Sequence, residues 1–377
     1  YLASLRMDQA KNWEEYREAC NYFNIPGENM VWADKYGDIG WQAVGIAPIR
    51  KTHSGLVPVK GDGNFEWEDY LEIIQKPNLF NPEKGYIATA NQNVTPEDYE
   101  RWDAIGYDWA DPYRGERVNS VLEGKDKFDM EDMINLQVDY FSIPSKQIIE
   151  LSKGHVKNNI EHFEKLSKWN NVLDKNSIEA GIYIEWQNQI HFEFVREFVP
   201  EEVQKYIEIQ IYKVIEGISK MDDKQKSLFL DKTFDKAIKS LKEKYGADSN
   251  GWIYGQNNYK HVKIYHPLEK VVNDSIKNII ALRTYPRGGD GYTPGSTSNE
   301  LNQKSGGSFR VVINTKDWDN SFATNSPGQS GNPKSKFYKN LYEDWANDNF
   351  FPLLYSKNKI LMNLSDRKVY RPLNQSE

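Results

Sequence analysis

The sequence predicts an α+β fold in which a helical block interrupts a sheet-forming region. Three observations carry the prediction. β-Prone runs bounded by turn residues occur at 29–45 and 85–91 and again at 307–314. From Asp129 to about Lys244, apolar residues recur at helical spacing. Between these regions lie connections rich in Gly, Pro, Ser and Thr, at 50–84 and 287–299. Strands, then helices, then strands again suggest a sheet-bearing core with an insertion. On this reading residues 1–125 and 283–377 form the core and 126–282 the helical insertion.

Each element has its own signal. Residues 1–24 read as one amphipathic helix with Leu2, Leu5, Trp13, Tyr16 and Phe23 on its core side, stopped by Pro26-Gly27. Asn29–Asp34 and Ile39–Gly45 read as a hairpin around the turn Lys35–Asp38. Residues 50–84 read mostly as loop, pinned by Trp67 and Tyr70. Gly85-Tyr-Ile-Ala-Thr-Ala-Asn91 reads as a strand ending in the polar amides Asn91, Gln92 and Asn93. A polar loop over 92–113 leads to a helix over Arg114–Leu122, with Arg117 in its first turns. Asp132–Asp139 has apolar residues at helical spacing, Pro200 marks a helix start, and 225–245 is Lys-rich and amphipathic. Toward the end, Gly307–Asn314 reads as a strong strand, Asp317–Thr324 as an irregular connector and Pro327–Pro333 as a tight turn. Phe337–Asn347 reads as a helix, and 359–364 and 367–371 as strand-like pieces.

Composition narrows the function classes. The chain has 377 residues, 38% of them hydrophobic, enough for a sizeable core. Its net charge of −7 offers no basic field for nucleic acid. No apolar run reaches the roughly 18 residues a transmembrane segment needs. The one cysteine, Cys20, excludes an internal disulfide and a cysteine-based zinc site. The chain starts at Tyr1 and reads as helix at once, which leads us to expect a piece cut from a longer protein.

The search for chemistry finds partial equipment. The six His residues, 53, 155, 162, 191, 261 and 266, include no HxxxH or HExxH pair. His155 and His162, seven apart, fit a solvated helix face. No GxSxG elbow is present. Gly288-Gly-Asp-Gly291 lacks the Lys-Ser/Thr of a phosphate loop and reads as a flexible loop. Acid pairs such as Glu66/Glu68 or Asp108/Asp111 would serve a glycosidase only if they faced one another across a cleft. The 13% aromatic content would suit a non-catalytic binding module. Carboxamides at a strand end, with an arginine nearby, are donors suited to an oxyanion, and as readily ordinary turn residues.

Several segments together resemble the β-subunit of the penicillin acylase family of N-terminal-nucleophile (Ntn) hydrolases. Residues 31–50, VWADKYGDIGWQAVGIAPIR, are similar to that family's YADxxGNIGYxxxGxxPxR hairpin. Residues 81–91, NPEKGYIATAN, are similar to its NPxxGYIATANN. Tyr113–Val118 resembles its YRAxRI, Gly307–Arg310 its GxSxR, and Pro327–Tyr338 its PGQSGNPxSPHY. The five blocks follow family order; residues from about 130 to 280 have no comparable match.

The resemblance implies a four-layer αββα sandwich, incomplete in this chain. It implies a precursor that cleaves itself to expose a Ser, Cys or Thr whose hydroxyl or thiol attacks an amide, with its own α-amine as base. It places Asn91 as the oxyanion-holding side chain and Arg117 as the arginine that lines the site and helps hold that Asn. The nucleophile, the backbone oxyanion donor and most ligands of a structural Ca2+ are expected on upstream chain. Asp103, with Asp108 next, is the candidate calcium residue here. Expected partners are the α-subunit and the N-terminal part of the β-subunit, with a small N-acyl amide as substrate, such as a penicillin side chain or an acyl-homoserine lactone. No cofactor is expected for catalysis. Location is expected to be secreted or extracytoplasmic, and this chain alone is expected to be inactive. Phe337, where the family often has His, and Gln92, in place of a second Asn, depart from the pattern.

Overall fold

The computed structural model describes residues 2–256 and 259–370. The hairpin follows the sequence closely. Asn29–Ala33 pairs antiparallel with Ile39–Ala43, placing Asn29 opposite Ala43 and Ala33 opposite Ile39. Asp34 closes the turn, its Oδ1 accepting from the backbone N–H groups of Tyr36, Gly37 and Asp38. A third strand, Asn78–Phe80, pairs with the other edge of Ile39–Ala43, inside the stretch expected to be loop. Three residues show too little alternation to be read alone; the neighbouring strand supplies the ladder that defines it. Trp67 and Tyr70 do not pin this region, since both are exposed; Leu71 and Ile73 are the buried anchors.

The first helix is two. Ala3–Met7 and Trp13–Cys20 are separated because Asn12 caps the second, its Oδ1 accepting from Glu15 N at 2.8 Å. The restart re-aims the apolar face. Trp13, Cys20 and Phe23 are buried and Tyr16 half-buried, whereas Leu2 and Leu5, expected in the core, are exposed. Tyr1 lies outside the described residues.

The helical stretch is as expected, and its largest apolar cluster runs from Tyr113 to Tyr259. Ile178–Phe198 lies at its centre, packed along Asp223–Tyr245. Capping boxes start Met130–Gln137 (Asp129 with Asp132) and Asp223–Tyr245 (Asp222 with Gln225). Pro200 stands at the N-cap of the short helix Glu201–Gln204. Between the two long helices Glu193 is fully buried. Lys232 and Lys236 reach it at 2.8 and 2.5 Å, and Arg196 also pairs with it. Burial pushes the carboxyl up, but the two lysines outweigh it and bring it down to about 2. Because the folded value lies below the unfolded one, the stabilisation is present above the usual carboxylate range and is lost as pH falls toward 2. Glu193→Gln is therefore expected to cost about 2–3 kcal/mol at pH 7, on the scale of such a shift. Urea-unfolding midpoints of variant and parent should differ at pH 7 and converge as pH drops below 4.

The C-terminal region holds a second three-stranded antiparallel sheet of Arg310–Val312, Phe322–Thr324 and Phe351–Pro352. The expected strand at 307–314 is shortened, and the expected connector at 317–324 contributes the central strand. The expected helix over 337–347 narrows to Tyr342–Ala346. Residues 359–364, expected as strand, fall largely in a helix, Lys357–Met362. Ser356 caps it, and with no neighbouring strand the Ile-Leu-Met run takes the helical option. Residues 367–370 form no strand, and Arg371 lies outside the described residues.

The loop after Arg287, expected to be flexible, is largely buried and held by hydrogen bonds. Arg287 and Asp290 are 1% and 3% exposed. The Lys260 ammonium donates to the carbonyls of Thr297, Ser298 and Glu300 at 2.9, 3.0 and 3.2 Å. The ring of Tyr140 lies against the loop so closely that a Cβ on Gly289 would stand 2.4 Å from it. These glycines admit an aromatic ring; they do not cradle a phosphate.

Candidate active site

Residues 85–91 lie beside the helix Tyr113–Leu122 and form no strand: Tyr86–Ala90 make no ladder hydrogen bonds among the described residues. β-Prone composition supplies only the capacity to pair, and a strand needs a neighbour. Side chains tie the segment to the helix. Tyr86 Oη lies 3.1 Å from Asn119 Oδ1 and 2.9 Å from Glu123 Oε1. At the other end the Gln92 amide fills the space over Gly115, where a Cβ would stand 2.4 Å from Gln92 Cδ. The Gln92 Oε1 also accepts from Ala90 N at 2.6 Å. Gly115 thus lets the end of the segment approach the helix.

Asn91 sits at that end with φ 66°, a left-handed conformation that Asn tolerates better than most residues. Its carbonyl accepts from Ala110 N at 3.2 Å, and its Oδ1 accepts from Arg114 Nη2 at 2.8 Å. No acceptor among the described residues takes the Nδ2 protons. The residue is exposed and stands where two clefts meet. One, of about 620 Å³, is walled by Arg114, Val118, Met133, Leu136, Phe309 and Arg310 among others. The other, of about 370 Å³, mixes apolar residues such as Trp41, Val44 and Trp109 with Glu28, Arg50 and Lys76.

Arg117, expected beside Asn91, points elsewhere. Its Nε and Nη2 donate to Asp139 Oδ2 at 2.9 and 2.7 Å, and its guanidinium lies 4.4 Å from the centre of the Phe141 ring. Arg114, one turn earlier on the same helix, holds Asn91 instead. Three residues along a helix keep the same face but move about 4.5 Å along its axis, enough to exchange one partner for another. Both arginines lie in the motif Tyr-Arg-Gly-Glu-Arg-Val, so the signal was present; sequence offered no means of choosing between them. Burial lowers the Arg114 pKa, and the neighbouring Asp111 opposes that effect. Burial also raises the Asp111 carboxyl, whose Oδ1 accepts from Tyr113 N at 3.0 Å.

Two further charged residues near the larger cleft were not singled out by sequence. Arg310 is buried on its wall and donates to Gly295 O at 3.3 Å. Behind it, Arg287 pairs with Asp348 at 2.8 Å, and Tyr140 bonds the same carboxylate at 2.5 Å. Only folding gathers residues 140, 287, 310 and 348, and no spacing along the chain signals it.

The remaining candidates stay apart. Asp103 is bound twice by Arg101, at 3.0 and 3.1 Å, and that guanidinium holds its carboxyl below the usual range. Asp108 is exposed, and no group of three or more metal-binding acids, His or Cys occurs among the described residues. The described residues alone do not hold a calcium ion, and a cation at Asp103 would have to displace Arg101. His155 lies in a turn, with Nδ1 2.8 Å from Ser227 Oγ. His162 is half-buried 5.1 Å from Trp252, so the two do not share a solvated face. Glu68 pairs with Lys51 on an exposed loop. The exposed aromatics Tyr36, Trp67, Tyr206 and Tyr355 are spread over separate elements.

An amide donor next to an arginine at a cleft is an arrangement able to hold a developing negative charge. The fold has a solved counterpart. It is similar to a solved penicillin G acylase from Alcaligenes faecalis, with a TM-score of 0.70 and 17% identity, over 100% of this chain and 73% of that one. The chain belongs to the penicillin amidase family, whose model matches residues 1–361. Among its relatives is the acyl-homoserine lactone acylase QuiP of Pseudomonas fluorescens, 25% identical over 92% of this chain and 46% of that protein. Another is penicillin G acylase of Escherichia coli, 33% identical over 33% of this chain and 14% of that protein. The chain thus spans about half the length of the first of these relatives. No helix among the described residues is long and apolar enough to cross a membrane.

Proposed function

We propose that this chain is the C-terminal part of the β-subunit of an N-acyl amide hydrolase and that Asn91 Nδ2 donates to the oxyanion of its acyl-transfer intermediates. The observation that carries the reading is Asn91 itself: an amide anchored through Oδ1 by Arg114, with no partner for Nδ2 among the described residues, where two clefts meet. In this reading the nucleophile comes from chain outside residues 1–377. It attacks the substrate carbonyl, the developing O⁻ is held by Asn91 and a backbone N–H, and collapse of the tetrahedral intermediate expels the amine and leaves an acyl-enzyme. Water then repeats the sequence and releases the acid. Family membership and the 46% coverage of the QuiP relative support both the chemistry and the placement of the nucleophile outside this chain. The substrate classes we propose are penicillin-type amides and acyl-homoserine lactones. The partners are the α-subunit and the N-terminal part of the β-subunit of one precursor, in an extracytoplasmic compartment.

The test compares the full-length precursor, expressed and allowed to mature, with residues 1–377 alone. Amine release from phenylacetyl amides and acyl-homoserine lactones should be seen with the matured protein and be absent with the isolated chain. Turnover by residues 1–377 alone would overturn the assignment of the nucleophile.

A further inference from the structure

We propose that the smaller cleft is a carboxylate subsite: Lys76 Nζ and the Arg50 guanidinium bind a carboxylate carried by an N-acyl amide whose scissile carbonyl lies at Asn91. The inference rests on the hydrolase reading above and deepens it by naming a charged class of substrate.

Lys76 lines this cleft half-buried, and its ammonium donates to the carbonyls of Val44 and Gly45 at 2.7 and 3.0 Å. An ammonium has three N–H groups, so one is left over. The two carbonyls fix where the ammonium stands, but they leave its charge unmatched. No acid pairs with it among the described residues, and burial brings its pKa down to about 8. A cation drawn out of water without a counter-ion favours an anion beside it. Arg50 repeats the pattern. Its guanidinium makes no side-chain hydrogen bond or ion pair among the described residues and lies 5.9 Å from the Trp67 ring.

The layout of the cleft directs the ligand. Glu28, Asn29 and Asn91 line both clefts and so mark their junction. Lys76 and Arg50 line the smaller cleft alone. Glu28, the one acid on its wall among the described residues, therefore stands at the junction, and the two cations stand off it. Trp41, Val44 and Val94 add apolar surface for the part of the substrate that joins carbonyl to carboxylate. The volume, about 370 Å³, falls within the usual range for small-molecule sites. The other titratable groups around Lys76 are Arg17, which bonds the Ile74 carbonyl, and Tyr99, which bonds the Gln75 carbonyl; neither supplies a negative charge at neutral pH.

The experiment measures kcat/KM of the matured full-length protein on two substrate pairs, each a carboxylate compound and its primary-amide counterpart. Glutaric acid monoanilide against glutaramide anilide puts the charge on the acyl side. Phenylacetylglycine against phenylacetylglycinamide puts it on the amine side. The parent is expected to prefer the carboxylate member of one pair about 10- to 100-fold, the scale of one charge-assisted hydrogen bond. That pair identifies which side of the scissile bond enters the cleft. Lys76→Gln keeps N–H donors for Val44 and Gly45 and loses the charge, so it should bring the ratio to within about threefold of unity. Arg50→Gln should lower the ratio in part. It breaks no hydrogen bond of the described residues, and it serves in place of Lys76→Gln if that variant does not mature. A merely structural effect acts on both members of a pair and leaves their ratio where it was. Because kcat/KM reports the free enzyme, the preference should hold below pH 8 and fade above it as Lys76 loses its proton. Lys76→Arg should keep the preference at the higher pH. Parent ratios near unity in both pairs would overturn the inference and leave the hydrolase reading standing. So would a preference unmoved by Lys76→Gln, or by Arg50→Gln where it serves instead. If the matured parent cleaved no amide, both the reading and the inference would fall.

Discussion

Asn91→Asp in the matured full-length protein is expected to lower kcat about 100- to 1,000-fold, the usual cost of one oxyanion-hole donor. The substitution is nearly isosteric. Asp retains an oxygen for Arg114 Nη2, at 2.8 Å in the parent, so the side chain stays anchored. What changes is the other end. A carboxylate cannot donate, and it sets a negative charge where the transition state develops one. Because the interaction forms mainly in the transition state, kcat should fall with KM little changed. The backbone needs its own control, since residue 91 has φ 66°. Asn91→Gly keeps that conformation open and removes the amide, whereas Asn91→Ala adds strain of about 1–2 kcal/mol on top of the lost donor. Asp and Gly variants that both mature normally and both lose turnover identify the donor as the cause. A Gly variant with parental kcat would refute the oxyanion role.

The largest effect on stability is expected from Arg287→Ala. The side chain is 1% exposed. Its Nε donates to Gln303 Oε1 at 3.0 Å, and its Nη1 donates to Ala346 O at 2.7 Å and pairs with Asp348 Oδ1 at 2.8 Å. The guanidinium also lies 5.5 Å from the Trp345 ring. Truncation leaves a buried carbonyl, an amide and part of a carboxylate without partners. Removal of one member of a buried pair costs about 3–5 kcal/mol. Arg310, 3.5 Å from the same Asp348 oxygen, offsets only part of this because it also serves Gly295 O. Arg287→Lys should recover little, since an ammonium on a shorter reach cannot serve Gln303, Ala346 and Asp348 in one plane. The unfolding midpoint of the matured protein in urea measures the loss. The buried loop that follows Arg287 contributes Pro294, Gly295 and Ser296 to the larger cleft, so turnover should fall as well. An unfolding midpoint unchanged in Arg287→Ala would show that the network carries no net stability.

The residues differ in how far sequence alone exposed them. The hairpin Asn29–Ala43 was legible because its strands and its turn are encoded within fifteen consecutive residues. The long helices were legible because a 3.6-residue period repeats over many turns. Asn78–Phe80 and Phe322–Thr324 were not, because three residues carry no periodicity and exist as strands only through a partner. The opposite error occurred at 85–91 and 359–364, where β-prone residues found no ladder. At the candidate site, the motifs singled out Asn91 and the helix Tyr113–Leu122, which lie against each other in the structure. They did not distinguish Arg114 from Arg117, whose identical side chains differ only in where three residues of helical rise carry them.

By itself the sequence determined the family, the α+β class, the absence of any internal disulfide and the identity of the amide at the cleft. Those properties depend on residue types and their local order. Only the tertiary structure decided that Arg114 holds Asn91, that Arg117 belongs to Asp139, and that the glycine-rich loop after Arg287 is a buried wall. Each of these depends on which side chains meet across distant parts of the chain, and a hydrogen bond is decided by ångströms of position that local order does not specify.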